Sequence, residues 1–175
     1  AFWSIANRVS YFMNFNGPSM AIDTACSSSL TALHLASESI KRGECDLALV
    51  GGVHVIGHDT HFVRLASMGV LSSDDKLKSF GAGADGFVDG EGVGAVLLKR
   101  LDLAEQDQDN IYGLVLGSAT NSGGKTSGYT VPNPTAQAEL ITAALKRADI
   151  LGESISYIEA HGTGTSLGEP IEVQA

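Results

Sequence analysis

Cys26 is the residue of this sequence best placed to act as a nucleophile. It stands between residues 20–24, which read as a short strand, and residues 27–42, whose apolar spacing predicts a helix. A strand-to-helix turn is where a nucleophile elbow exposes its side chain. The free N–H groups at a helix start favour the thiolate, which is the reactive form of cysteine. A buried, inert cysteine is the alternative, and the residues alone leave both interpretations open.

His161 is the second candidate for chemistry. It follows residues 155–160, which are predicted to form a strand, and it opens a His-Gly-Thr-Gly-Thr loop at residues 161–165. In α/β folds active sites gather beyond the ends of parallel strands. Thr163 and Thr165 are candidates for lining the substrate pocket, since their hydroxyls either bond a ligand or cap the next helix. The alternative is a turn that packs a hydrogen-bonded histidine.

Three further histidines cluster in a predicted loop at His54, His58 and His61. Such a cluster would suggest a metal, but Asp59 is the only carboxylate beside it in the sequence. No cysteine completes a tetrahedral zinc pattern, so we expect no metal. The remaining cysteine and histidine are assigned to packing. They are Cys45, at the start of a predicted strand, and His34, within the helix after Cys26.

Composition and charge exclude several classes of function. The 175 residues carry a formal net charge of −9, which argues against a nucleic-acid surface and against an acidic membrane face. No run of about 18 apolar residues predicts a transmembrane helix, and no charged-then-apolar signal peptide opens the chain. Two cysteines make no disulfide framework, so a reduced, cytoplasmic setting is expected.

Apolar strand-like runs alternate with helix-like runs along the chain, which predicts an α/β architecture. The chain opens without Met and closes inside a predicted helix start, so we expect a single domain, residues 1–175, truncated at both ends. The predicted strands are 20–24, 47–53, 94–98, 114–119 and 155–160, and the predicted helices are 27–42, 62–68, 135–148 and one beginning near Pro170.

Three motif matches fail their context. Residues 81–86 fit G-x-G-x-x-G, but no apolar strand precedes them and no helix follows, so a dinucleotide site is rejected. Residues 124–126 resemble the end of a P-loop without its first glycine or its helix. The separation of Cys26 from His161 fits papain-like proteases, but the flanking C-G-S-C-W pattern of that family is absent.

Two long motifs give the chain a family resemblance. DTACSSS at residues 23–29 and EAHGTGT at residues 159–165 resemble the active-site cysteine and first histidine motifs of ketosynthase domains in modular type I polyketide synthases. Between them, residues 86–87 and 90–92 match the glycine-rich turn of that family, and the resemblance covers essentially the whole chain. Residues 125–134, together with residues 11–19, are similar to the subgroup whose acyltransferase is a separate protein.

The resemblance implies a thiolase-like fold, of which this chain would hold the end of the N-terminal half and the start of the C-terminal half. It implies a β-ketoacyl synthase, an acyltransferase in which Cys26 carries the acyl chain and His161 assists a decarboxylative Claisen condensation with a malonyl-type extender. Substrates would arrive on the phosphopantetheine of an acyl carrier protein, with no cofactor bound directly, and the full domain would be a homodimer.

The departures from the family pattern set the expected limits. The family usually has Asp at the position of Glu169, and its catalytic lysine and second histidine fall beyond Ala175. We therefore expect the 175 residues alone to be inactive. Three alternatives remain: a fatty-acid synthase condensing enzyme, a non-elongating ketosynthase that only transfers acyl groups, and a carrier-protein docking module without catalysis. The presence of Cys26 and His161 argues against the docking module.

Overall fold

Six α-helices, one 3₁₀ turn and two β-strands form the secondary structure in the computed structural model, which describes residues 1–175. None of the helices is both long enough and apolar enough to cross a membrane. In chain order the elements are α1 (Trp3–Met13), α2 (Ser28–Lys41), β1 (Leu47–His54), α3 (Thr60–Ser67), β2 (Gly92–Lys99), α4 (Leu101–Gln106), α5 (Pro134–Ala148), the 3₁₀ turn (Gly152–Ser154) and α6 (Gly168–Gln174).

The chain packs as two units, each built from two stretches of sequence. The first unit combines Ala1–Val53 with Val93–Val115, and it holds α1, α2, α4 and nearly all of the two strands. The second unit combines His54–Gly92 with Leu116–Ala175, and it holds α3, α5 and α6. Cys26 therefore belongs to the first unit, and His161 to the second.

In the first unit the start of α2 approaches β1, which pairs with β2 in a two-stranded sheet. A Cβ built on Gly52 of β1 would lie 2.6 Å from the Ser29 hydroxyl oxygen, so glycine is what permits this approach. Buried apolar side chains of α2, β1 and α4 contribute to the core of this unit, and they are Ile40, Val50 and Ala104.

In the second unit α5 has a capped start, and its end packs closely against a glycine. The Asn133 side chain accepts hydrogen bonds from the backbone N–H groups of Thr135 and Ala136, which caps the helix start, and Pro134 is its first residue. Gly117 packs against the end of α5, where an added Cβ would lie 2.6 Å from the backbone nitrogen of Ala148.

Most of the predicted elements are confirmed to within a few residues: the helices at 27–42, 62–68 and 135–148, the strands at 47–53 and 94–98, and the helix start near Pro170. Helices α1 and α4 were not predicted. Three predicted strands, at 20–24, 114–119 and 155–160, are wrong: no strand is assigned there. A strand requires a hydrogen-bonded neighbour, and the only sheet in the chain pairs β1 with β2. An apolar run of sequence does not supply that neighbour.

Candidate active site

Cys26 lies on a tight turn immediately before α2. Its thiol is free and its side chain is exposed. Ala25 adopts the left-handed conformation, with φ of 56°, and the Ser28 N–H donates to the Ala25 carbonyl at 3.1 Å. Left-handed backbone is uncommon for a residue with a side chain, so this turn is specifically imposed. The expected turn-to-helix setting of Cys26 is confirmed, although the residues before the turn form no strand.

A set of hydroxyl groups holds this turn together. The Thr24 hydroxyl lies 2.9 Å from the Ser27 hydroxyl and 3.2 Å from that of Thr31. Ser28 accepts the Thr24 N–H at 2.9 Å and donates its own hydroxyl hydrogen to the Ala25 carbonyl at 2.7 Å. Each of these bonds joins residues that are at most seven apart. The turn around Cys26 is therefore built from its own short stretch of sequence.

The loop that carries His161 is held through its backbone by Glu172 of α6. The Glu172 carboxylate accepts the N–H of His161 at 2.6 Å and the N–H of Gly162 at 3.0 Å. The His161 residue itself is exposed. Its main chain is thus held in place by a neighbouring helix while the residue stays exposed to solvent.

Glu169, one turn earlier on α6, holds the same loop from inside. It is only 5% exposed, and its two carboxylate oxygens accept the N–H groups of Phe80 and Gly164, both at 2.8 Å. A buried carboxylate is stable only when such donors surround it. At this position, where the resembling family usually has Asp, the longer Glu side chain therefore joins two distant loops as well as standing in the first turn of a helix.

The glycine-rich turn contacts the His161 loop directly. The Gly86 N–H donates to the Gly164 carbonyl at 2.9 Å, and the Ser79 hydroxyl donates to the Gly162 carbonyl at 2.5 Å. A Cβ on Gly86 would lie 2.4 Å from the carbonyl carbon of Leu71, so no larger residue fits there. Gly86, the last residue of the rejected dinucleotide motif, thus helps to position the histidine loop.

Thr163 and Thr165 were predicted to bond a ligand or to cap a helix. Their hydroxyls lie 3.1 Å apart, and the Thr165 hydroxyl accepts the Gly168 N–H at 3.2 Å, at the start of α6. This contact supports the capping alternative for Thr165. A substrate-lining role for both residues stays a prediction.

Electrostatic effects near the glycine-rich turn centre on Asp85. The Ser73 hydroxyl hydrogen bond is the largest influence on Asp85, and with the Ser73 backbone N–H and the Lys78 ammonium it lowers the pKa of this carboxyl below its ordinary value. Lys78 lies 3.0 Å from Asp74 and 3.7 Å from Asp85. This group of charges fixes the segment that leads into Gly86.

Sequence reasoning missed Glu169 and Glu172 as parts of the site. Their contacts join residues that are 5 to 89 positions apart, so no local motif reveals them. The available signal was a pair of acids three residues apart on a predicted helix beside the His161 loop, which places both on one helix face. For Cys45, the assignment to packing agrees with its half-buried position and its thiol contact, 3.6 Å from the Ser39 hydroxyl.

Two family models together match almost the whole chain. The profile of the family "Beta-ketoacyl synthase, N-terminal domain" matches residues 1–104, and that of "Beta-ketoacyl synthase, C-terminal domain" matches residues 112–175. Among solved structures, an oxazolomycin ketosynthase domain of Streptomyces albus JA3453 is 53% identical, with a TM-score of 0.98 over 99% of this chain and 30% of its own. A ketosynthase from module 6 of the bacillaene synthase of Bacillus subtilis 168 is 47% identical, with a TM-score of 0.97 over 99% and 32%.

Similar curated sequences are polyketide synthases. Polyketide synthase PksM of Bacillus subtilis (strain 168) is 62% identical over 98% of this chain, and polyketide synthase ThaG of Burkholderia thailandensis is 56% identical over 97%. The chain spans only 4% and 3% of the length of these two relatives. The implied thiolase-like α/β fold is confirmed by the ketosynthase structures, and the matched residues cross the junction between the two halves of that fold. The chain belongs to the β-ketoacyl synthase family.

Proposed function

We propose that this chain is part of a polyketide-synthase ketosynthase domain, in which Cys26 is the acyl-carrying nucleophile. The observation that carries the proposal is the free, exposed Cys26 thiol on a constrained turn directly before a helix, in a chain of this family. The relatives are named as polyketide synthases, which favours this subtype over a fatty-acid condensing enzyme.

The first step is acyl transfer. The Cys26 thiolate attacks the carbonyl carbon of an acyl thioester on the phosphopantetheine of an upstream acyl carrier protein. The bond to the carrier thiol breaks, that thiol leaves as thiolate, and the acyl chain remains on Cys26 as a new thioester. The backbone N–H of Cys26 supplies half of the oxyanion hole for the tetrahedral intermediate.

The second step is condensation. A malonyl unit on the next carrier protein loses carbon dioxide, and the electron pair of the broken C–C bond forms an enolate. The enolate carbon attacks the Cys26 thioester, which forms the new C–C bond and expels the Cys26 thiolate. His161 donates a hydrogen bond to the enolate oxygen as charge develops there. The exposed side chain and fixed backbone of His161 support this role.

The rest of the proposal concerns partners and the complete domain. Acyl carrier protein is the substrate-bearing partner, the complete domain is a homodimer, and no directly bound cofactor takes part. Assignment to the trans-acyltransferase subtype, in which the acyltransferase is a separate protein, rests on the similarity of residues 125–134 and 11–19 alone. The catalytic lysine and second histidine of the family are expected outside residues 1–175, and residues 1–175 alone are expected to be inactive, so activity is tested in the full-length protein.

The test is acyl loading of full-length Cys26→Ala beside Cys45→Ala as its matched control. Each variant is incubated with an acyl thioester, and the ketosynthase region is analysed by intact or peptide mass. We expect the acyl adduct in the wild type and in Cys45→Ala, and its loss in Cys26→Ala. A Cys26→Ala protein that still carries the adduct in this region would overturn the proposal. A wild type that loads without ever extending the chain would identify the non-elongating alternative.

A further inference from the structure

Two histidines and one aspartate meet in the second unit. They are His54 at the end of β1, His61 in the first turn of α3, and Asp89 in the loop before β2. The Nε2 atoms of both histidines reach the same Asp89 oxygen, Oδ2, with a distance of 3.3 Å for His54. Asp89 is the carboxylate that the sequence did not reveal, because 28 residues separate it from His61.

The three donor atoms lie close enough together to share one ion. All of them lie within 4.8 Å of one another. In a tetrahedral zinc complex with bonds of about 2.0–2.2 Å, donor atoms lie about 3.3 Å apart. The His54–Asp89 distance matches this value. His61 and Asp89 are in direct hydrogen-bond contact, so these two side chains would have to move apart to admit an ion. A single divalent ion between the two imidazoles and the carboxylate would use all three donors at once.

The loops that bear these residues are already joined by a second contact. The Glu91 carboxylate accepts the N–H of Ile56, so the segment after β1 is tied to the segment before β2. This contact holds the ligand-bearing loops together without an ion, and a preformed site costs less to order on binding.

An ion also has a path to the cluster. Asp89 lines an open cavity of about 330 Å³ together with Phe62, Leu71 and Phe87. The side chain of His54 is 49% exposed and that of His61 is 34% exposed, whereas that of Asp89 is 17% exposed. The ligands are therefore reachable from solvent, while the carboxylate that anchors them is largely covered.

We propose that His54, His61 and Asp89 form a binding site for one divalent transition ion of the zinc type. Two imidazole nitrogens and one carboxylate oxygen are ligands that zinc accepts, and imidazole disfavours Mg²⁺ and Ca²⁺, which prefer oxygen. The bound ion links the end of β1, the start of α3 and the loop before β2. Its role is positional: it holds Asp89 in the segment between Gly86 and β2, and Gly86 is hydrogen-bonded to the carbonyl of Gly164 in the His161 loop.

His58 and Asp59 lie close by in the sequence but outside the proposed site. The Nδ1 atom of His58 lies 2.6 Å from Asp59 Oδ1, and their side chains are 72% and 87% exposed. Neither residue belongs to the cluster of three donors. His58→Ala is therefore a matched control: a histidine removed from the same loop without loss of a ligand.

The experiment is a Co²⁺ titration of the full-length protein, with any affinity tag removed and resident metal stripped by a chelator. Co²⁺ is followed by its visible absorption, and Zn²⁺ is then added as competitor. We expect the wild type and His58→Ala to bind one more equivalent of Co²⁺ than His61→Ala or Asp89→Ala, and Zn²⁺ to displace it. Mg²⁺ in excess should leave the absorption unchanged.

His54→Ala keeps the test decisive if the other variants fail to fold, because the half-exposed His54 side chain is the ligand least engaged in packing. It should lose the same equivalent of Co²⁺. Equal Co²⁺ binding by the wild type and a folded ligand variant would overturn the site. So would a wild type without any Co²⁺ absorption, or one in which Mg²⁺ displaces Co²⁺.

Discussion

The turn around Cys26 is stabilised by local contacts, whereas the loop around His161 is stabilised by contacts from distant parts of the sequence. Both place an exposed residue on irregular backbone. The Cys26 turn is held by hydroxyl groups within its own stretch, none more than seven residues from its partner. The His161 loop is held by carboxylates of α6 and by residues as far as 83 positions away.

This contrast shows that the Cys26 turn and the His161 loop depend on different parts of the fold. The Cys26 turn carries most of its own geometry, so damage elsewhere should leave it largely intact. The His161 loop derives its shape from α6, the glycine-rich turn and the Ser79 segment. It should therefore be sensitive to changes far away in the sequence.

The largest effect should come from His161→Ala, which separates the two regions by function. We expect condensation to slow by about a hundred- to a thousand-fold, as for the loss of one transition-state donor, while acyl loading on Cys26 stays largely intact. Loading is measured by mass and extension by product analysis in the full-length protein, with the exposed His58→Ala as control. Loss of loading in a folded His161→Ala protein would reassign His161 as the base for Cys26.

Gly86→Ala should be the most damaging change to stability. The new Cβ would meet backbone atoms of Leu71 and Ser72 at 2.4–2.6 Å, and backbone cannot move aside as a side chain can. We expect a loss of about 3–5 kcal/mol, measured by denaturant unfolding. Gly90→Ala is the control, since a Cβ there meets nothing within 4 Å. Equal stability of the two variants would show that the segment holding the His161 loop adapts easily.

Glu169→Ala should cost less, about 2 kcal/mol, because it strands the buried N–H groups of Phe80 and Gly164. Hydrogen exchange at residues 161–165 should accelerate, and exchange at residues 24–31 should not change. The exposed Glu139→Ala serves as control for the loss of a charge. Faster exchange around Cys26 in Glu169→Ala would break the proposed independence of the two regions.

Thr24→Ala perturbs the Cys26 turn instead of the His161 loop, and we expect a smaller effect. It removes hydroxyl contacts with Ser27 and Thr31 at an exposed position, where the net value of a hydrogen bond is about 1 kcal/mol. Exchange should accelerate at residues 24–31 alone, and the rate of acyl loading should fall while stability changes little. An unchanged turn would mean that backbone conformation, rather than the hydroxyl groups, holds Cys26.

The smallest expected effect is a pH response of the segment before Gly86. Ser73→Ala removes the hydrogen bond that contributes most to lowering the pKa of Asp85, so that pKa should rise towards the ordinary Asp value of about 3.9. A depressed native pKa adds stability above the unfolded value, and this is lost as the pH falls through the native value. Carboxyl NMR titration of Asp85 measures the shift, with Ser67→Ala as control. A pKa of Asp85 that stays unchanged in Ser73→Ala would contradict it.

The sequence predicted what is local and missed what is distant. The helix at 135–148 and the helix after Cys26 follow from neighbouring residues, and both were predicted. Glu169, by contrast, bonds a residue 89 positions away, and Asp89 meets a histidine 35 positions away. No pattern of neighbours specifies such pairs. The wrong strand at 155–160 has the same origin, because pairing with a neighbour, not apolar content, makes a strand.

Glu169 and Glu172 also make α6 a mechanical part of the site. Both carboxylates project from one short helix, and together they bind the backbone of residues 161, 162 and 164. The loop therefore follows the helix as one body. A shift or rotation of α6 would therefore move the backbone from which the His161 side chain projects.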